Sequence, residues 1–146
     1  MTLRFTVEED PRGKARPRFG GHIYTPAATV KYEKRVKAAC QDAMRRSRTA
    51  CLGVPCVVAI RFRLKPAVSH AKRTRAHMLS GAVGMTGRYD IDNQAKAILD
   101  ALNKVAFVDD RLIVRLWLSK VAAETPGADV MVRAYEQHDL EEDFHT

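Results

Sequence analysis

The stretch from Asp90 to Asp110 reads D-I-D-N-Q-A-K-A-I-L-D-A-L-N-K-V-A-F-V-D-D and is the most specific segment of the chain. Apolar residues recur inside it at helical spacing, which predicts a helix from about Asn93 to Val105. Acidic residues flank this helix on both sides. Asp90 and Asp92 precede it two positions apart, so in extended backbone their side chains project to the same side.

Two more acids, Asp109 and Asp110, follow the predicted helix. A chain reversal there could bring them back toward Asp90 and Asp92. Carboxylates gathered without a counter-charge repel, so such a group needs a proton, a cation or strong solvent exposure. Carboxylate oxygens without thiolate or imidazole ligands are the environment that Mg²⁺ or Mn²⁺ prefers. We therefore expect a carboxylate cluster of the kind that serves a metal-dependent nuclease.

Lys96 lies four residues beyond Asp92, on the same face of the predicted helix. Its ammonium could bind the scissile phosphate or stabilise charge that develops during attack. Each residue also has a structural interpretation. Asp92 could cap the helix, Asp109 and Asp110 could form an ordinary turn, and Lys96 could be the surface partner of Asp92 or Asp100.

Hydrophobic periodicity outside this segment predicts the other elements. In chain order they are an opening strand with Leu3, Phe5 and Val7; a loop or ribbon over 12–25; a basic amphipathic helix from Thr25-Pro26 to about Arg48; a strand over 54–64; a mobile loop over 66–86 with a short helix near 74–79; and strands over 112–120 and 130–135. A chain of 146 residues suits a single domain over 1–146.

The charge distribution favours a polyanionic partner. The formal net charge is +8, and no acid occurs from Ala43 to Tyr89, where ten basic residues do. The residues that we expect to contact phosphates are Lys14, Arg16, Arg18, Arg61, Arg63, Lys72, Arg73, Arg75 and Arg88. A charge run of this kind can also be no more than a solvated face.

The three cysteines have neither zinc-site nor disulfide spacing, and we interpret them as reduced. The longest apolar stretch, Gly53 to Ile60, is far shorter than the roughly 18 residues that a membrane span needs. No secretion signal is visible. We expect a cytoplasmic protein without a membrane partner.

The segment from Asp90 to Asp110 closely resembles the signature of the RusA family of Holliday junction resolvases, which has D-x-D-N, a following lysine, D-A-L and a terminal D-D. Looser matches are K-x-R-P-R-F at Lys14–Phe19, the Tyr-Thr-Pro of residues 24–26 and the basic run of residues 69–75.

The resemblance implies an α/β (α+β) fold, in which a small mixed β-sheet packs against two main helices, and a homodimer. It also implies a crossover junction endodeoxyribonuclease that acts in DNA recombination and repair, binds four-way DNA and nicks two strands symmetrically with Mg²⁺, for which Mn²⁺ could substitute. Carried over by position, Asp90, Asp92 and Asp110 are the metal-binding catalytic acids, Lys96 is the catalytic lysine, and Asp109 is their less certain neighbour.

Two other functions stay open from the sequence. One is a basic DNA-binding module without catalysis, which the charge block supports equally well. Against it, a pure binder gains nothing from carboxylates beside phosphate unless a cation bridges them. The other is a nuclease of different branched DNA, such as flaps or forks.

Overall fold

The computed structural model describes residues 1–15, 18–21, 23–24, 26–87 and 90–140. Its strands are β1 (Thr2–Val7), β2 (Arg18–Phe19), β3 (Ile23–Tyr24), β4 (Cys56–Leu64), β5 (Ile113–Ala122) and β6 (Gly127–Ala134). Its α-helices are α1 (Ala27–Ser47), α2 (Lys72–Ser80) and α3 (Ile91–Leu102), and two 3₁₀ turns span Asp110–Leu112 and Gln137–Leu140.

Four strands form one mixed sheet in the order β1-β6-β4-β5. β6 pairs antiparallel with β1 and β4, whereas β4 and β5 run parallel. β5 therefore lies at one edge of the sheet. The fold is α+β with a mixed sheet, as predicted.

The two longer helices, α1 and α3, cover one face of the sheet. α1 buries Tyr32, Val36, Cys40 and Ala43, the stripe that helical spacing predicted. The helix ends at Arg48, whose φ of 53° is left-handed. Pro26 is its N-cap residue, and the predicted capping residue Thr25 lies outside the described part of the chain.

The helix α3 buries Ala95, Ala97, Ile98, Ala101 and Leu102 against the same face of the sheet. It begins and ends earlier than the sequence predicted. The chain leaves the helix at Asn103, whose backbone is extended, and Lys104 follows with a left-handed φ of 65°.

Three short elements lie in the segments predicted as a loop or ribbon and as a loop with a short helix. β2 and β3 pair antiparallel as a two-stranded ribbon. α2 lies within the predicted mobile loop, extends the short helix predicted near 74–79, and packs on β5.

The other face of the sheet carries no helix of the described chain except the 3₁₀ turn over Gln137–Leu140; we call it the open face. Arg133 holds this turn by two hydrogen bonds to Asp139, of 2.8 and 2.5 Å. The side chains that line the open face include Arg4, Thr6, Ala59, Arg61, Arg115, Trp117, Ser119, Asp129, Met131 and Arg133.

No α-helix in the described ranges is both long and apolar enough to cross a membrane. Cys40, Cys51 and Cys56 are free thiols, as predicted. Burial raises the pKa of the Cys40 thiol to about 11, and the thiol of Cys51 adds to the shift. Cys40 therefore behaves as an inert core residue.

Candidate active site

Asp90 and Asp92 both lie at the amino end of α3. Asp90 is the N-cap residue in extended backbone, and its carbonyl accepts the N–H of Gln94 at 3.0 Å. Its carboxylate makes no capping hydrogen bond. The carboxylate of Asp92 accepts the N–H of Asn93 at 2.9 Å. Both side chains are exposed at the positive end of the helix dipole.

Lys96 lies one turn further along α3, with 63% of its side chain exposed. Its Nζ is 3.7 Å from a carboxylate oxygen of Asp100, the helical neighbour that the sequence allowed as its partner. An exposed pair of this kind contributes at most about 1 kcal/mol. The ammonium can therefore leave Asp100 for a phosphate at little cost.

Asp109 and Asp110 lie directly before β5. Asp109 caps the 3₁₀ turn, where its carboxylate accepts the N–H of Arg111 at 2.9 Å. This hydrogen bond is the main reason why the pKa of Asp109 is lowered, and the charges of Arg111 and Lys104 add to it. Asp109 thus has a turn-capping role, whereas Asp110 is exposed beside it.

The two acidic groups lie at opposite ends of the same elements. α3 has 12 residues and so separates its ends by about 18 Å. Lys120, near the end of β5, donates to the carbonyl of Gly87 at 3.2 Å, so the chain that approaches Asp90 passes this end of the strand. Asp110 precedes the other end, roughly 23 Å away along the strand.

The expected gathering of Asp110 with Asp90 and Asp92 within one chain is therefore not found. Within ranges 1–15, 18–21, 23–24, 26–87 and 90–140, no group of three or more His, Cys, Asp or Glu residues could hold a metal ion. The reversal after α3 does return the chain to the sheet, but to the start of β5. The roles proposed for the individual acids stay predictions.

Lys14, a predicted phosphate contact, is held in an internal ion-pair group. Its ammonium contacts the carboxylate of Glu33 and lies 3.1 Å from that of Asp100. Burial lowers the pKa of Lys14, but the two carboxylates outweigh burial and the net pKa is raised. Its backbone N–H donates to the carbonyl of Asn93 at 3.0 Å, which ties the chain before the ribbon to the first turn of α3.

Arg61 and Arg63 lie on the open face, which is the face opposite α3. Both pair with Asp129, at 2.9 and 3.2 Å respectively. Arg63 also donates to the carbonyl of Thr125 at 2.9 Å. Burial raises the pKa of Asp129, but the two guanidinium groups outweigh it and the net pKa is lowered. The predicted positive face of β4 is thus partly neutralised by its neighbour β6.

The basic residues of α2 lie at the same end of the sheet as the start of α3. Lys72 and Arg75 line a cleft with Lys65 and Glu124, which follow β4 and β5. Lys72 and Arg73 are exposed to solvent. α2 therefore presents positive charge at the end of the molecule that carries Asp90 and Asp92. Of the other predicted contacts, Arg16, Arg88 and the side chain of Arg18 lie outside what the structure describes.

Comparison with known proteins identifies the family. The family model "Endodeoxyribonuclease RusA" matches residues 8–133, most of the chain. The chain belongs to the RusA family. It is also 30% identical over 137 residues to "Uncharacterized protein YqaN" of Bacillus subtilis (strain 168), a match that covers 90% of this chain and 95% of that protein.

Membership of the RusA family implies a nuclease, a hydrolase of the phosphodiester bonds of DNA. The matched range contains Asp90, Asp92, Lys96 and Asp110, and it ends before the 3₁₀ turn at Gln137. The family signature therefore coincides with the elements on which the candidate acids lie.

Two residues close in sequence or space to the candidate acids were not identified from the sequence. Gln94 is fully buried in the first turn of α3, and neither polar atom of its amide has a hydrogen-bond partner among the described residues. Lys120 fixes the segment that precedes Asp90 through its bond to Gly87. No periodicity signals either residue, although an amide directly after D-x-D-N in an apolar stripe could have drawn attention to Gln94.

Proposed function

We propose that this chain is the subunit of a homodimeric, Mg²⁺-dependent endodeoxyribonuclease that resolves four-way DNA junctions by paired symmetric nicks in recombination and repair. The family supports a nuclease of this kind. The family match over residues 8–133 carries the nuclease, and the separation of Asp110 from Asp90 and Asp92 by the length of β5 carries the homodimer. A complete carboxylate group then requires two copies of the chain.

The exposed edge strand β5 supports such an assembly. Among the described strands it pairs only with β4. Val114 and Leu116 are 55% and 40% exposed. A ten-residue edge with exposed apolar side chains is a feature that monomeric proteins normally avoid, because it is a template for pairing with another chain.

An antiparallel pairing of two β5 edges about a two-fold axis would bring the separated acids together. It would bring the start of one strand beside the end of the other. Asp110 of one copy would then lie near Asp90 and Asp92 of the second copy. Symmetry would generate two such sites, and a four-way junction has matching approximate two-fold symmetry.

The donor chemistry fits a hard divalent cation. Asp90 and Asp92 are exposed carboxylates, and neither forms an ion pair with another described residue. Mg²⁺ is commonly held by one or two carboxylates together with substrate phosphates and water, and Mn²⁺ accepts the same ligands. Asp90, Asp92 and Asp110 would hold the ion, which when bound would polarise the phosphate and lower the pKa of water.

The remaining groups of the chain would position the DNA. Lys96 projects from the same face of α3 as Asp92, where its ammonium would bind a phosphate oxygen and stabilise the charge that develops on it. Lys72 and Arg73 would bind the backbone of the same strand further along. Free thiols at Cys40, Cys51 and Cys56 fit action in the cytoplasm, which we also propose.

Subunit mixing tests the shared site. Asp92→Asn and Asp110→Asn should each abolish junction cleavage and leave junction binding intact. In mixed dimers one site would combine both substitutions and the other would have neither. Random mixing makes half of the dimers mixed, and each mixed dimer has one intact site out of its two. About a quarter of all sites should therefore be active. An inactive mixture in which mixed dimers are shown to form would contradict the shared site.

The substrate is tested with labelled four-way, Y-shaped and linear duplex DNA, each with Mg²⁺ and with EDTA. We expect symmetric nicks in the four-way form alone, with Mg²⁺. Cutting confined to Y-shaped DNA would instead indicate a nuclease of forks or flaps. Tight binding of junctions without any cutting in Mg²⁺ or Mn²⁺ would indicate a DNA-binding module.

A further inference from the structure

The open face contains a groove of about 770 Å³. Strand register explains how it forms. Arg4 pairs with Met131, Met131 with Ala59, and Ala59 with Trp117, so these four residues form one row across all four strands. Ala59 is small, and the middle of the row is therefore lower than its two ends. With strands about 4.8 Å apart, the row spans about 14 Å from β1 to β5.

Trp117 forms one wall of this groove and is 45% exposed. The guanidinium carbon of Arg115 lies 4.9 Å from the centre of its ring, a cation–π contact that fixes the indole. A large aromatic side chain held in place at the surface is a ready partner for stacking.

The groove combines an apolar floor with a positive rim. Four arginines line it, Arg4, Arg61, Arg115 and Arg133, against two aspartates, Asp129 and Asp139, so the lining has a net charge of +2. Each aspartate is paired, Asp129 with Arg61 and Asp139 with Arg133. A fixed aromatic ring, an apolar floor and excess positive charge together match a nucleotide, which offers a flat base and a phosphate.

We infer that the open face binds an unpaired DNA strand, with one base stacked on Trp117 and the adjoining phosphates on the arginine rim. The inference rests on the proposed function for its choice of DNA as the partner. Stacking on a side chain needs the exposed face of a base, which unpaired nucleotides offer and continuous duplex does not. Such a surface would favour branched DNA, where strands separate, over linear duplex.

The chain contains one tryptophan, so its fluorescence reports on Trp117 alone. In EDTA, titration with oligothymidylate should quench this emission and protect it from acrylamide, whereas a fully paired duplex should do neither. Binding of a labelled oligothymidylate, followed by anisotropy, should weaken roughly 5- to 100-fold in Trp117→Ala and much less in Trp117→Phe. Arg4→Ala should also weaken binding, since Arg4 forms the far end of the row.

Val54→Ala is the matched control, because Val54 is similarly exposed at 48% but lies in the loop before β4, outside the groove. Oligothymidylate that binds without changing Trp117 emission would overturn the inference. A second result would also overturn the inference: Trp117 emission that is shielded from acrylamide without DNA and becomes accessible when the protein is diluted. The open face would then be an interface between copies of the chain.

The failure of this inference and that of the nuclease proposal are separable. If Trp117 does not respond while junctions are cut in Mg²⁺, the stacking surface is wrong and the nuclease stands. If Trp117 responds while no DNA is cut, the stacking surface stands and the nuclease is wrong.

Discussion

The Arg133–Asp139 pair anchors the 3₁₀ turn to the open face. Asp139 is 6% exposed, and besides Arg133 it accepts the backbone N–H of Glu136 at 2.7 Å. The hydrogen bonds from Arg133 are the main cause that places the pKa of Asp139 well below its usual range, and the bond from the N–H of Glu136 is the second. The carboxylate therefore stays charged in the folded protein at pH values where it would be protonated in the unfolded chain.

This shift predicts how stability depends on pH. Because the pKa is lower in the folded than in the unfolded state, where it is about 3.9, the pair stabilises the fold above that pH and loses its effect as the pH falls further. Asp139→Asn should lower Tm at neutral pH, and its difference from wild type should shrink as the pH is lowered from about 5 to about 3. Melting curves of both proteins across this pH range measure the difference in Tm. A difference that stays constant with pH would contradict a lowered pKa of Asp139 in the folded state.

At the scale of the element, we expect α2 to guide how the chain approaches DNA. The helix carries Lys72, Arg73 and Arg75 at the end of the sheet where α3 begins. The three other predicted contacts with described side chains already have protein partners: Lys14 has Glu33, and Arg61 and Arg63 have Asp129. We therefore expect α2 to supply much of the electrostatic contact with phosphates.

Replacing Lys72, Arg73 and Arg75 together with alanine should weaken junction binding and reduce its salt dependence. The slope of log K against log salt should fall by up to about 2–3, because each phosphate contact contributes about 0.9. The control replaces Lys31, Lys34 and Lys37, which are exposed on α1, and removes the same charge. Equal slopes for the two triple variants would show that α2 makes no specific contact.

At the scale of the whole molecule, the acids at the two ends of β5 are too far apart for one copy to form the proposed site alone. Each copy would supply Asp110 to one site and Asp90, Asp92 and Lys96 to the other. Activity should then depend on assembly even when every candidate catalytic residue is present.

Val114→Lys should separate the dimer and abolish cleavage, because it places a charge on the exposed apolar edge. Sedimentation should give a monomer, and circular dichroism should show an intact fold. Val68→Lys is the control, since Val68 is 83% exposed in the loop before α2 and should tolerate the charge. A monomeric Val114→Lys protein that cuts junctions at the wild-type rate would contradict a site shared between copies.

Local pattern was enough to predict most elements and to select the candidate acids. Alternating Leu3, Phe5 and Val7 predicted β1, and helical spacing predicted α1 and most of α3, because side-chain periodicity within an element decides which face is buried. The motif around Asp90 and Asp110 identified the family, which the match over residues 8–133 confirms.

Tertiary structure alone decided which charges of different elements meet. The partners of Arg61 and Arg63 are 66–68 residues away on β6, and strand order, which periodicity does not encode, makes them neighbours. The same holds for the row that sets Trp117 beside Ala59. The sequence by itself determined that acids flank α3. Only the tertiary structure decided that Asp109 and Asp110 lie at the start of β5 and that the chain before Asp90 passes its end, because long-range packing sets how the helix lies along the strand.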